Sequence, residues 1–171
     1  MARFNEEKTL ATILYLSGKS ERGLDLYSLV KLIYFADKAH LHRWGRTITG
    51  NYYARMEHGP TPSEAYDLIK SVRGDQDWPI DYSKSFKVTS DVVIPLLRAN
   101  LDEFSESELE ILDEVYRDDG GKSFAELKSK AHDNAYNRSK GHWMTDEDLA
   151  EGDLTLIEHI KHVEEDEEIL G

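Results

Sequence analysis

Apolar residues recur along most of this chain at the three- and four-residue spacing of helices, and in two short stretches the period drops to two. The first helix is expected over residues 6–17, with Asn5 as N-cap, Gly18 as its stop and Leu10, Ile13, Leu14 and Leu16 on its apolar side. The second has the clearest pattern: Asp25 can cap it and Gly45 can end it. Leu26, Leu29, Val30, Ile33 and Ala36 form one stripe, while Tyr27, Tyr34 and Phe35 carry apolar surface round the cylinder, away from that stripe. A helix apolar on most sides belongs at the centre of a fold, packed on several faces.

Over residues 47–57 the pattern alternates. Ile48, Tyr52, Ala54 and Met56 share one parity and Gly50-Asn51 supplies a turn, which predicts a short hairpin or edge strand broken by His58-Gly59-Pro60. Thr61, Pro62, Ser63 and Glu64 read as a capping box opening a helix to about residue 72. Residues 74–83 form a loop, and residues 86–88 and 92–94 suggest a second small hairpin around Thr89, Ser90 and Asp91. Capping boxes at Ser105/Glu108 and Ser123/Glu126 start helices over residues 106–117 and 124–131. Thr145 can cap a short helix over 146–150, and Leu154, Leu156, Ile157, Ile160 and Val163 mark a last one. That helix is expected to fray into a solvated acidic tail from about residue 164. The expected fold is mainly α: a single compact domain, residues 1–171, of about six helices with one or two short β-hairpins.

Composition narrows the function. The chain has 171 residues, a length at which one core buries enough surface to fold without a staple. It has no Cys, which excludes a disulfide, a thiolate nucleophile and a cysteine zinc site. The opening residues lack the apolar run of a leader and no stretch approaches a membrane span, so a cytoplasmic protein is expected. Net charge is −13 and is lopsided: residues 1–100 carry 14 Lys+Arg against 12 Asp+Glu, residues 101–171 carry 7 against 22. Such a surface repels phosphates and draws in basic proteins, so protein partners are expected rather than nucleic acid.

Signs of catalysis are thin. GxSxG, GxGxxG, a Walker loop and HExxH are all absent. His40 and His42 point about 200° apart on a helix, so they cannot easily share an ion. His159 and His162 could share one, but they border an acidic face. Asp37 and His40, three apart, can touch, either as a catalytic orienting pair or as a structural hydrogen bond. The aromatics are a more promising feature. Tyr52 and Tyr53 take opposite faces of one strand, so one of them points away from the core, as an interface anchor would.

The stretch 29–69 combines a Lys-Leu-x-Tyr-Phe-Ala helix (Lys31, Leu32, Tyr34, Phe35, Ala36), a His-Leu pair (His40, Leu41), Gly45, Ile48 and Tyr52, and a His-Gly-Pro turn (His58, Gly59, Pro60). Further on come His132, Tyr136 and Gly141. In this order the motifs resemble the Panacea, or SocA-like, antitoxin domain, with Tyr136 standing where the family pattern has Trp. The resemblance implies a non-enzymatic protein, without cofactor or metal, that neutralises a cognate toxin by direct contact. It also allows an adaptor that delivers a toxin to a protease. Candidate partner-binding or motif residues are Lys31, Tyr34, Phe35, Asp37, His40, Tyr52, Tyr53, His58, Gly59, Pro60, His132 and Tyr136. A remote alternative, a metal-dependent hydrolase, would use Asp37, His40, His58 and His132. The same histidines suit a structural role, fastening the central helix, the turn and the C-terminal part together.

Overall fold

The computed structural model describes residues 4–170. Everything in it is arranged around α2 (Leu26–Trp44), whose buried set includes not only the expected stripe but also Lys31, Tyr34, Phe35, Asp37 and His40. The helix starts where Asp25 accepts a hydrogen bond from the Ser28 N–H at 2.9 Å and stops at Gly45, φ 78°, whose N–H returns to the Leu41 carbonyl. The left-handed backbone there favours glycine, and a β-carbon would also lie 2.6 Å from the exposed His159 ring and 3.0 Å from Val163 Cγ2, so these side chains would have to shift.

Around this axis sit α1 (Glu6–Gly18), α3 (Ser63–Arg73), α4 (Glu106–Asp119) and α5 (Phe124–Ala131). Then follow α6 (Asn134–Arg138), α7 (Asp146–Leu149) and α8 (Leu154–Leu170). The described residues thus hold eight α-helices rather than about six. One that the pattern did not reveal is α6, too short for a periodicity and started by Asp133, which accepts from the Tyr136 N–H. The capping boxes at Ser105, Ser123 and Thr145 are all formed, the last with Asp148. Gly18 is the last residue of α1, and Lys19 is the cap. The acidic stretch from residue 164 continues α8 to Leu170 instead of fraying, as glutamate's good helix propensity permits.

Two antiparallel sheets flank the helices. In the first, β1 (Leu24–Asp25), β5 (Val92–Pro95) and β4 (Phe86–Thr89) pair in that order. The two-residue turn joining β4 to β5 puts Ser90 and Asp91 at φ 49° and 62°, the left-handed geometry that twisted hairpins demand. Neither residue is glycine. The turn is held instead by the Leu26 N–H on the Asp91 carbonyl at 2.8 Å and by Arg73 on the Asp91 carboxylate at 3.0 Å.

The second sheet departs from expectation. Residues 47–51 form a loop, and the hairpin is β2 (Tyr53–Met56) with β3 (Gly59–Pro62), turning at Glu57-His58. Of the motif expected to break the strand, His58 makes the turn and Gly59 and Pro60 begin β3 itself. Two prolines are tolerated there because Pro60 and Pro62 lie opposite Arg55 and Tyr53, whose backbone groups bond residues 142–144 on the far side, so each proline's missing N–H faces away from β2. Thr61 therefore sits in the strand and does not cap α3. That helix is capped from a distance: Asn51 Oδ1 accepts the Ala65 N–H at 2.8 Å, and the Tyr52 carbonyl accepts the Ser63 N–H. Glu64 reaches back to the Tyr52 N–H at 3.0 Å instead of closing a box.

Gly45→Ala is expected to cost more than Gly74→Ala, which has a left-handed φ of 104° but open space around it. On the order of 1 kcal/mol is expected for Gly74→Ala and about 2–4 kcal/mol for Gly45→Ala, read as urea midpoints at constant slope.

Candidate functional site

Most of the motif residues point inward, where they join α2 to its neighbours. Asp37, buried on the fourth turn of α2, accepts four hydrogen bonds. The Ile48 and Thr49 N–H groups donate at 2.8 and 2.9 Å, and the Thr49 and Tyr53 hydroxyls at 2.6 Å each. Burial pushes this carboxyl up, and the four donors oppose the rise. Burial also pushes the Tyr53 hydroxyl far up, so it stays a donor. Asp37 and His40 do not bond to each other. His40 places Nδ1 2.7 Å from the Arg46 carbonyl and Nε2 2.9 Å from Ser107 Oγ, joining α2 to the start of α4. The i, i+3 spacing made their contact possible, but Asp37 faces the 48–53 segment and His40 faces α4.

Lys31 lies 2 % exposed against β3. Its Nζ donates to the Pro60 carbonyl at 2.7 Å, satisfying the outward edge of the strand, and also reaches Thr61 Oγ1 at 3.4 Å. Desolvation lowers its pKa to about 8. Gly59, φ 108°, keeps this approach open: a β-carbon there would meet Ala131 at 3.3 Å and Lys31 Nζ at 3.4 Å. Tyr34 and Phe35, expected at the margin of the helix, are both buried. The Tyr34 hydroxyl donates to Asp133 at 2.9 Å, and Lys38 ties the same carboxylate to Glu151.

His132 and Tyr136 fasten the β2–β3 turn to α5 and α6. His132 sets Nε2 3.0 Å from the Glu57 carbonyl and Nδ1 2.6 Å from that of Lys128. The Tyr136 hydroxyl donates to Met56 O at 2.6 Å, and the Arg55 guanidinium lies 4.1 Å from the Tyr136 ring. His58 is exposed, its ring edge-on to Phe124. Tyr52 is the other outward motif residue, 44 % exposed and edge-to-face with Trp143.

Sequence reasoning missed a second buried carboxylate. Glu108, read only as a capping residue, also accepts from Lys8 at 3.0 Å and Arg46 at 2.7 Å. Burial pushes its pKa up, but Arg46, the Ser105 N–H and Lys8 outweigh this and hold it below the usual value. Nothing in the spacing revealed these partners, which lie on α1 and the 45–52 loop. The cleft beside Phe35, about 550 Å³ in volume, is lined by internally paired charges. In it, Arg43 meets Glu114 and Lys130 meets Asp119. No group of three or more His, Asp or Glu side chains able to hold a metal occurs among the described residues. No helix among them is long and apolar enough to cross a membrane.

This is a mainly α domain whose signature residues serve its own assembly and whose loops and strand edges face outward. The chain belongs to the family of SocA-like antitoxins with the Panacea domain, whose family model matches residues 29–137. No curated protein and no solved structure matches it.

The Lys31 geometry sets a pH dependence. Between about pH 8 and 10.4 the unfolded chain keeps a proton that the folded chain has released, so stability rises with pH across that window, by about 3 kcal/mol. Lys31→Met should abolish this rise when unfolding free energies of the two proteins are compared from pH 7 to 10. Tyr53→Phe, which leaves Asp37 one donor short, should cost about 1–3 kcal/mol at pH 7.

Proposed function

We propose that this chain is an antitoxin that neutralises a co-encoded toxin by direct protein–protein contact in the cytoplasm, with residues 1–171 acting as one domain and without enzymatic activity or cofactor. The match to the SocA-like antitoxin family over residues 29–137 carries this reading. The polar motif residues support it, since Asp37, His40, Lys31 and Tyr34 are each engaged inside the fold. The hydrolase alternative needs Asp37, His40, His58 and His132 to converge. Asp37 and His40 face different neighbours, His132 binds two backbone carbonyls and His58 packs on Phe124.

Of the motif residues, Tyr52 and His58 are the accessible ones, and we take them as contact candidates; the buried ones shape the surface from beneath. The excess of 22 Asp+Glu over 7 Lys+Arg in residues 101–171 suits a basic toxin and disfavours nucleic acid. The adaptor reading has one feature in its favour: α8 ends in an acidic run followed by Ile169 and Leu170, more than four-fifths exposed, a form that a protease docking site can grip.

Co-expression with the product of the adjacent gene should relieve that product's toxicity, and lack of both protection and binding counts against the antitoxin reading. Its association rate should fall as salt rises from about 50 to 500 mM; an unchanged rate removes the acidic region from recognition. A chase experiment separates blocking from delivery, because an adaptor's deletion lengthens toxin half-life whereas a blocker's does not.

A further inference from the structure

The β2–β3 sheet has an unused margin. Residues 142–144 run antiparallel beside β2, held by the Arg55 N–H on the His142 carbonyl at 2.7 Å and the Met144 N–H on the Tyr53 carbonyl at 2.9 Å, with Ala54 opposite Trp143. In that pattern the N–H and C=O of Trp143 itself point away from β2. Neither has a hydrogen-bond partner among the described residues. Alternation puts Tyr52, Ala54 and Met56 on one face, and the bridge sets the Trp143 side chain beside Ala54 on that same face. Tyr52, Met56 and Trp143 are 44 %, 43 % and 50 % exposed, and the two rings meet edge to face at 6.5 Å. An open backbone edge and an exposed aromatic face thus coincide.

We propose that this margin is the docking site for an extended segment of the toxin, which adds as a strand beside Trp143 and seats an apolar side chain on Tyr52 and Trp143. The proposal rests on the antitoxin reading and names the contact surface. An extended segment is specified because a helix satisfies its own backbone, whereas a strand brings N–H and C=O groups into register with a free edge. Tyr and Trp are the side chains that most often anchor such contacts. Charge identifies the partner. Glu147, just past the edge, is exposed, and residues 101–171 carry 22 Asp+Glu against 7 Lys+Arg, so a segment with basic residues beyond its apolar anchor fits. A second copy fits poorly, since pairing edge to edge would bring together two chains of net charge −13 each.

The test is amide hydrogen exchange on the full chain, alone and saturated with the adjacent gene product, combined with affinities of Trp143→Ala, Tyr52→Ala and Trp143→Pro. The expected result is a Trp143 amide that exchanges quickly in the free chain and is protected at least tenfold in the complex. Trp143→Ala should weaken binding about tenfold or more with an unchanged melting temperature. Trp143→Pro, which also removes the outward N–H, should lose a further few-fold, on the order of fivefold. Should Trp143→Pro melt early, the exchange data and the alanine variants decide alone. Wild-type binding with no change at the Trp143 amide and no loss in the alanine variants overturns this docking site and leaves the antitoxin reading standing. Protection that appears in the free chain as its concentration rises assigns the edge to a second copy and also overturns it. No binding by the wild-type chain sinks both readings.

Discussion

One buried carboxylate organises the middle of the molecule. Asp37 gathers two backbone N–H groups and two hydroxyls from the segment that leaves α2, and so winds that segment back onto the helix it came from. The position of β2 follows, because Tyr53 is both a ligand of Asp37 and the first residue of the strand. So does the start of α3, since Asn51, in the same loop, supplies its cap. A carboxylate stripped of water survives in such a place only if its lone pairs are filled, and here they are. Glu108 repeats the device at the junction of α1, α4 and the 45–52 loop, with cations in place of hydroxyls.

This arrangement explains how a family signature can be so rich in polar residues and still serve the assembly of the fold. Lys31 closes a strand edge, Tyr34 and Lys38 hold Asp133, and His132 and Tyr136 hold the β2–β3 turn. Each polar group is spent on another part of the same chain. What is left for partners is the outer layer, where Tyr52 and Trp143 stand and where the acidic helices dominate the field.

Much of the helical scaffold was legible because its signals are local. Asp25 and Gly45 delimit α2, and the capping boxes at Ser105 and Ser123 mark α4 and α5, through contacts made within a single helical turn. The sheet around β2 was misread for the opposite reason. Gly50-Asn51 is an excellent hairpin turn in isolation, but Asn51 is committed to Thr9 and to the Ala65 N–H, contacts 42 and 14 residues away. Pro60 and Pro62 look like strand breakers until the register shows that their missing donors face outward. Tyr34 and Phe35 fell outside the main stripe, and only the presence of neighbours on several sides of α2 buries them. The outward role of Trp143 had no sequence signal, because it depends on a bridge to Ala54 that is long-range.

The buried amine of Lys31 has one further effect. By occupying the Pro60 carbonyl, it seals the lateral boundary of β3 from within, while the prolines present no donors there. With that boundary closed, each molecule offers pairing on one side of this sheet only, so copies of the chain cannot link edge to edge through it into an open-ended series.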